Sequence, residues 1–489
     1  MISSLLENLM TSLMKQTLLC CLFWPILSFA DIKVVDVIPK SLSDETNNDS
    51  EPNLAVNPTN PRQIAASAFT PDPLGGDTAP IFVSIDGGKS WALNSILPSQ
   101  METGDITLRF GGSSNVLYAA ILRQPIKDQH PEMVICRTSS FTDPKLMDEL
   151  ITRKGDLGVD QPYIAASTIA GKDRVFIGDN DLNDADGHTA SIDRSLDSAA
   201  VPAPAGFSNP FRIETRSTIQ QDGPQIRAAI ASDGKTVYSI FYRWIGSTGS
   251  SLNVDVVVVR DSNGGAGQAL FSDLKDPKDN LAGVRVATNR RLPWDGRLGG
   301  ERLGGDVAIA VNPHDMNLVY IAWADETRGS YTLHLMRSKD GGATWSADLR
   351  TLKTAKNPGL AINDQGVVGF LYQQVVDNGA EQDWVTSFEQ SANFDSSPKP
   401  IILSKFPVPD WSPHVPFIGD YLHLMAVGND FHGIFSADNT PDKANFPSGV
   451  VFQRNADFGR KVLLGTDNST IIDSSIDPYY FEIAGSPTH

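Results

Sequence analysis

The sequence predicts an all-β protein, a β-propeller of seven four-stranded antiparallel blades. Two observations support this prediction. Short runs of β-branched and aromatic residues, broken by Gly, Pro, Asn and Asp, dominate the chain after residue 30, and no helical periodicity persists. One type of segment also recurs: an acid or its substitute, a nearby Pro or Gly, a short apolar strand, and a second strand that ends in aromatics.

The recurring segment occurs seven times, and each copy is predicted to start a blade. The starts lie roughly 50 to 80 residues apart, as a four-stranded blade with variable loops requires. The seven copies are EPNLAVNP from Glu51, GDITLRF from Gly104, DQPYIAAS from Asp160, DGPQIRAAI from Asp222, GDVAIAVNP from Gly305, NPGLAIND from Asn357 and GDYLHLMAV from Gly419.

Both ends of the mature chain are strand-like. DIKVVDVIP (31–39) and DPYYFEI (477–483) are expected to pair and close the ring. A β-sandwich, or six blades with an additional sheet, is the alternative architecture. The regular sevenfold count favours seven blades.

The first thirty residues predict a signal peptide. Lys15 precedes the apolar run LLCCLFWPIL (18–27), and SFA (28–30) ends in a small residue suited to signal peptidase. The apolar run is too short to span a bilayer comfortably. We therefore expect an exported protein with one propeller domain over 31–489, and either Met1 or Met14 as the start. The mature chain then keeps only Cys136, so no internal disulfide is expected.

Composition limits the partners of this chain. Of its 489 residues, 40% are hydrophobic and 20% are charged, which is typical of a packed globular protein. The formal net charge of -18 argues against binding to nucleic acid or to an anionic membrane surface. We expect a monomer that spans no membrane.

Two eight-residue stretches, SIDGGKSW (84–91) and SKDGGATW (338–345), are predicted to form the turn between the third and fourth strands of a blade. Their paired glycines permit positive φ, and Asp86 and Asp340 can accept hydrogen bonds from turn N–H groups. Trp91 and Trp345 can then pack across the hairpin. GGKS is not the end of a phosphate-binding loop, because Val83 stands where that motif has its first glycine.

The pattern S-x-D-x-G-x-x-W in these stretches resembles the Asp box, or bacterial neuraminidase repeat, of sialidase-like β-propellers. Three further segments look like eroded copies: CRTSSFTD (136–143), SIDRSLDS (191–198) and FEQSANFD (388–395). The resemblance implies that the box is a folding device at the blade periphery, away from any ligand. With the blade repeats, the resemblance covers essentially the whole mature chain.

Acids begin six of the seven innermost strands, at the expected mouth of the channel. They are Glu51, Asp105, Asp160, Asp222, Asp306 and Asp420, and the seventh strand has Asn357. One interpretation is architectural, with each carboxylate capping the loop that leads into its strand. The other is an acidic ring that binds a cation or supplies a catalytic acid.

The resemblance to sialidases also implies a set of site residues. Those enzymes hold the substrate carboxylate with three arginines and use a tyrosine nucleophile with acidic partners. Here the corresponding candidates are Arg109, Arg227 and Arg302 for the substrate, and Tyr421, Asp420 and Asp306 for catalysis. The early Arg-Ile-Pro motif of that family is missing, since the first blade offers only NPRQIA (60–65). The alternative is that the arginines pair with acids of neighbouring blades.

One acidic stretch, DNDLNDADG (179–187), is predicted to be a loop after a second strand. Asp179, Asp181, Asp184 and Asp186 place oxygens at alternating spacing, as calcium loops do. Asp184, however, replaces the glycine of the twelve-residue calcium pattern, so a solvated acidic loop is equally compatible. A second stretch, WSPHVPFIGDY (411–421), brings aromatics and His414 to a blade entrance, where they can stack on sugars.

Two functional hypotheses remain open. The first is an exo-acting, sialidase-like glycoside hydrolase that requires no cofactor, with calcium as a possible structural ion. The second is a non-catalytic propeller that binds a glycan, glycoprotein or other protein partner at the channel mouth. A fold does not determine function, so the site residues have to decide.

Overall fold

The computed structural model describes residues 32, 34–69, 78–98, 103–113, 115–123, 130–143, 145–154, 157–183, 186–200, 207, 210–294, 296–379, 381–408 and 418–485. Contacts divide the chain into Met1–Ile32 and Lys33–His489, and all described strands belong to the second unit. The predicted signal peptide lies outside the described residues. No helix long and apolar enough to cross a membrane occurs in the described part.

The described structure is all-β, as predicted, with only two short 3-10 turns at Lys40–Leu42 and Lys443–Asn445. The chain starts with β1 (Val34–Asp36) and then forms antiparallel sheets of four consecutive strands. The first sheet is β2 (Ser50–Val56), β3 (Ile64–Phe69), β4 (Thr78–Ser84) and β5 (Ala92–Pro98). The second is β6 (Thr103–Phe110), β7 (Leu117–Arg123), β8 (Glu132–Thr138) and β9 (Asp148–Arg153). The third is β10 (Val159–Ile169), β11 (Lys172–Asp181), β12 (Ala190–Ser195) and β13 (Phe211–Arg212).

The fourth sheet is β14 (Arg227–Ile230), β15 (Val237–Thr248), β16 (Ser251–Asp261) and β17 (Val284–Leu292), and it is followed by a small hairpin of β18 (Arg297–Leu298) and β19 (Glu301–Arg302). The fifth is β20 (Val307–Val311), β21 (Val319–Thr327), β22 (Ser330–Ser338) and β23 (Arg350–Lys353). The sixth is β24 (Ala355–Ile362), β25 (Val368–Asp377), β26 (Gln382–Ser391) and β27 (Ile401–Pro407).

The last sheet has five strands and joins the two ends of the chain. It contains β28 (His423–Val427), β29 (Asp430–Asp438), β30 (Val450–Val451) and β34 (Ile476–Ala484), together with β1. A small sheet of β31 (Ala456–Asp457), β32 (Val462–Leu464) and β33 (Ile471–Ile472) is inserted before β34. The predicted pairing of the two chain ends is present, since Val34 lies opposite Phe481 and Asp36 opposite Tyr479.

The first strand of each sheet lies beside the first strand of the next, in the order β2, β6, β10, β14, β20, β24 and β28, and β28 lies beside β2. These strands therefore form a closed ring around a central channel, which is the arrangement of a β-propeller. Each predicted segment start lies at or just before one of these first strands.

Apolar side chains fill the spaces between neighbouring sheets. On β16, Val254, Val256 and Val258 pack towards the fifth sheet, whereas Val257 and Val259 pack towards the third. Such strands are buried on both faces, which explains why they read as continuous apolar runs rather than alternating ones.

Both DGG stretches form the predicted turns. Ser90 and Lys89 donate their N–H groups to Asp86 at 3.0 and 3.1 Å, and Thr344 donates its N–H to Asp340 at 2.8 Å. Gly88, with φ of +78°, leaves no room for a Cβ because the Tyr480 ring of the last sheet lies against it. The turns therefore hold neighbouring sheets together and lie away from the channel.

Candidate functional site

Acids from four sheets gather where the first strands begin, at the channel mouth. Glu51 lies on β2, Asp105 on β6 and Asp160 on β10, and Asp420 lies just before β28. The hairpin β18–β19 brings Arg302 to the same place. Glu51, Asp105 and Asp420 are nearly inaccessible to solvent and Asp160 is half-buried, so the charges of these acids depend on neighbouring groups.

Arg302 and Asp420 form a bidentate ion pair. The Arg302 Nε lies 2.8 Å from Asp420 Oδ2, and Nη2 binds the same oxygen. Lys356, which is 1% exposed, donates from Nζ to the carbonyls of Arg302 at 2.9 Å and Gly419 at 3.2 Å, and its Nζ lies 3.9 Å from Asp420 Oδ1. One buried lysine thus fixes both partners of the pair and joins the hairpin to the last sheet.

Glu51, Asp105 and Tyr421 form a second group beside this pair. Tyr421 donates its hydroxyl to Asp105 at 2.5 Å, and the Asp420 N–H donates to Glu51 at 3.0 Å. Burial raises the pKa of Glu51 well above its usual value, and the nearby Asp105 and Asp420 raise it further. Arg302 opposes this rise in the pKa of Glu51.

Asp160 is the acid best placed to exchange a proton near neutral pH. Burial raises its pKa to about 7, Asp105 adds to the effect, and Arg302 opposes it. Asp160 and Asp420 both line a cavity of about 280 Å³ at the mouth, together with Asn180, Trp294 and Arg302. This cavity therefore holds one carboxyl with a pKa near 7 and one carboxylate in an ion pair.

The three predicted substrate arginines do not line one cavity. Arg302 lines the mouth cavity, whereas Arg227 lines a smaller, deeper one with Tyr163, Tyr421 and His423. Arg109 lines neither of these two cavities. Its Nη2 lies 3.0 Å from His423 Nε2, and its Nε donates to the Ile164 carbonyl at 3.3 Å. Arg302 pairs with an acid, but Asp420 precedes the last sheet, which is not a ring neighbour of the two sheets that flank the hairpin, so this pair is not the one between neighbouring blades that the alternative predicted.

The predicted acidic ring is only partly assembled. Glu51, Asp105, Asp160 and Asp420 interact with one another, but the charged groups that influence Asp222 are Glu214 and Arg243. Asp306 is 1% exposed, accepts the Tyr331 hydroxyl, and accepts the Asn357 N–H at 2.7 Å. Its carboxylate therefore joins the fifth sheet to the first strand of the sixth instead of capping the loop into its own strand, and its side chain does not line either cavity.

The candidate calcium residues are placed differently from the prediction. Asp179 and Asp181 belong to β11, so the expectation that they lie in a loop is wrong. Asp179 accepts the Ser191 hydroxyl at 2.7 Å, and Asp181 pairs with Arg212 at 2.9 Å, because both side chains lie on a packed sheet face. Asp186 is exposed, and Asp184 and His414 lie outside the described residues.

One group of three carboxylates in the described part has the spacing of a metal site: Glu45, Asp49 and Asp477, whose nearest oxygens lie within 4.8 Å of one another. Arg454 already pairs with Glu45 at 2.7 Å and with Asp477 at 2.9 Å. This group lies where β34 joins the first part of the chain, and its arginine ties these two regions together.

Sequence reasoning missed Lys356, Trp294 and Tyr163. The interval between the fourth and fifth segment starts is the longest of the six and contains the glycine-rich stretch from Trp294 to Gly305. That excess length was the available signal for an inserted hairpin. Lys356 and Tyr163 gave no signal, because their neighbours come from other blades.

No protein-family model matches the chain, and no curated protein matches it either. Several solved structures are similar in fold. An α-L-arabinofuranosidase from Fusarium graminearum aligns with a TM-score of 0.46 and 12% identity, over 74% of this chain and 98% of that chain. An α-L-arabinanase from Penicillium chrysogenum aligns with a TM-score of 0.39 and 12% identity, over 77% and 98%. A protein of unknown function from Dyadobacter fermentans aligns with a TM-score of 0.42 and 9% identity, over 78% and 94%.

Proposed function

We propose that this protein is an exported glycoside hydrolase that binds a sugar chain in the mouth cavity. One observation carries the proposal: Asp160 and Asp420 line the same cavity in opposite electrostatic settings. Burial favours the protonated form of Asp160, whereas Arg302 and Lys356 surround the Asp420 carboxylate with positive charge. A protonated acid beside an ionised carboxylate is the pair that glycoside hydrolysis uses.

The roles follow from these settings. Asp160 acts as the general acid and protonates the leaving oxygen of the glycosidic bond. Asp420 stabilises the positive charge that develops on the sugar ring or activates the attacking water. Trp294 offers an aromatic face to the apolar side of a sugar. Its ring packs edge-on against that of Trp244, and the two ring centres lie 4.8 Å apart. This reaction requires no cofactor.

The test is hydrolysis of 4-methylumbelliferyl glycosides by the full chain, with neutral pyranosides, arabinofuranosides and sialosides in the panel. We expect turnover of at least one substrate, and Asp160→Asn should lower kcat by about 10²- to 10⁴-fold. Asp222→Asn is the matched control, because Asp222 is a buried acid before the first strand of its sheet but lines neither cavity. Equal loss in both variants, or turnover that survives Asp160→Asn, would contradict the assignment.

A sialoside hydrolase is the second candidate, and the hydrogen bond between Tyr421 and Asp105 favours it. A tyrosine paired with a carboxylate is the nucleophile that the resemblance to sialidases implies. In that case sialosides alone turn over, and Tyr421→Phe abolishes the activity. Binding of glycans without any turnover in the panel would instead support a non-catalytic propeller.

A further inference from the structure

The channel below the mouth contains two arginines that have no carboxylate partner among the described residues. Arg109 lies near the end of β6 and Arg227 begins β14. Arg109 donates to the Ile164 carbonyl, and Arg227 donates to the oxygens of Gln161, so these acceptors are uncharged. Arg227 is only 5% exposed. A guanidinium that is buried without a counter-charge lowers the stability of the fold. A bound anion beside these two arginines would offset that loss.

Arg227 is enclosed by aromatic rings rather than by acids. Its Cζ lies 4.8 Å from the centre of the Tyr163 ring and 5.3 Å from that of Tyr421. Its acceptors are the two oxygens of Gln161, at 3.5 and 3.3 Å, although a guanidinium has five N–H donors. Burial lowers the pKa of Arg227, and Asp105 and Glu51 oppose this only from a distance.

Arg109 and His423 present donors to the same place. The Leu54 N–H donates to His423 Nδ1 at 3.1 Å, so the neutral ring carries its hydrogen on Nε2. That Nε2 lies 3.0 Å from Arg109 Nη2 and 3.3 Å from the Tyr163 hydroxyl. Burial lowers the pKa of His423 well below its usual value, and both arginines lower it further.

The cavity beside these donors is small. It has a volume of about 20 Å³ and is lined by Tyr163, Arg227, Tyr421 and His423. This is space for one water-sized particle. Asp420 lines both this cavity and the mouth cavity, so the Arg302–Asp420 pair lies between them. A sugar ring is far larger than this volume, whereas a single inorganic ion fits.

We propose that the deeper cavity binds one small inorganic anion of halide size, held by Arg227, His423 and the Tyr163 hydroxyl. The anion supplies the negative charge that Arg109 and Arg227 lack, in a protein whose acids gather at the mouth instead. The site is independent of the proposed hydrolase activity, because none of these three residues donates or accepts a proton in that reaction.

The direct test is a crystal of the full chain grown or soaked in sodium bromide, with anomalous data collected at the bromine edge. An anomalous peak within contact distance of the Arg227 guanidinium is expected. In parallel, thermal unfolding is followed in bromide and in gluconate at constant ionic strength. A saturable rise in Tm of about 3 °C is expected at a bromide concentration a hundredfold above Kd.

Variants separate this site from general salt effects. Arg227→Met should abolish the bromide-dependent rise in Tm, and Arg62→Met, at an exposed turn, should leave it unchanged. If Arg227→Met does not fold, Tyr163→Phe should weaken bromide binding by about tenfold through the loss of one hydroxyl donor. Bromide peaks confined to surface arginines, or equal Tm values in bromide and gluconate, would overturn the proposal.

Discussion

Arg302, on the hairpin β18–β19, forms a bidentate ion pair across the channel mouth with Asp420, which lies just before the first strand of the last sheet. The Arg302 side chain is 47% exposed, whereas that of Asp420 is 6% exposed. The pair therefore fixes a nearly buried carboxylate with a cation that remains accessible from the mouth cavity.

Removing one partner of this pair should lower the free energy of unfolding more than removing both partners does. Arg302→Met leaves Asp420 with Lys356 as its nearest cation, so we expect a loss of about 1–3 kcal/mol in the free energy of unfolding. In a double-mutant cycle with Asp420→Asn, we expect a coupling energy of about 1–3 kcal/mol from urea unfolding. The exposed pair Arg291–Glu326 is the control and should couple by under about 1 kcal/mol. Equal coupling in the two cycles would show that the Arg302–Asp420 pair behaves as a surface pair.

Asp160 should make stability fall as pH rises. Burial raises the pKa of the folded-state carboxyl to about 7, above the unfolded value, so its contribution is fully present below about pH 4 and is lost as pH rises through about 7. We expect Asp160→Asn to reduce the loss of stability between pH 4 and 8 by about 2–4 kcal/mol. The exposed Asp148→Asn is the control and should leave the pH profile unchanged. Parallel profiles for wild type and Asp160→Asn would contradict the raised pKa.

Adjacent glycines in the first DGG turn should differ sharply in their tolerance of a side chain. Both have positive φ, +82° at Gly87 and +78° at Gly88. A Cβ at Gly87 meets nothing within 4 Å, whereas a Cβ at Gly88 overlaps the Tyr480 ring. We expect Gly87→Ala to cost about 1 kcal/mol and Gly88→Ala about 3 kcal/mol or more in unfolding free energy. Similar costs would mean that the turn does not pack against the last sheet.

His334 should stabilise the fifth sheet mainly in its protonated form. Burial lowers its pKa, but the hydrogen bonds to Asp325 at 3.3 Å and Asp348 at 2.9 Å outweigh burial and raise the pKa to about 9. Because the folded pKa is raised, this contribution is fully present below about pH 6.5 and is lost as pH rises through about 9.

His334→Gln should therefore cost about 2 kcal/mol in unfolding free energy at pH 6 and clearly less at pH 10. Urea unfolding at the two pH values measures this difference. The exposed His314→Gln is the control and should show no comparable change between them. A cost that is the same at both pH values would exclude the charged histidine as its cause.

Local patterns in the chain predicted the blades well. The first six four-stranded sheets are each made of consecutive strands, so strand composition, turn residues and the spacing of the copies are sufficient to locate them. The hydrogen bonds of Asp86 and Asp340 followed from turn chemistry alone, because all their partners lie within a few residues. Asp179 and Asp181 were misplaced because an acidic strand that packs against Arg212 looks, in sequence, like a solvated loop.

The sequence by itself determined the all-β class, the seven segment starts, the pairing of the chain ends and the position of both DGG turns, since each depends on neighbours along the chain or on a repeat. Only the tertiary structure decided which acids and arginines meet. Ring closure brings Asp420 to Arg302 and Lys356, leaves Asp222 outside the acidic group, and places Arg227 between two tyrosines from other sheets. Such encounters depend on the rotation of each sheet around the channel, and no local pattern of residues specifies that rotation.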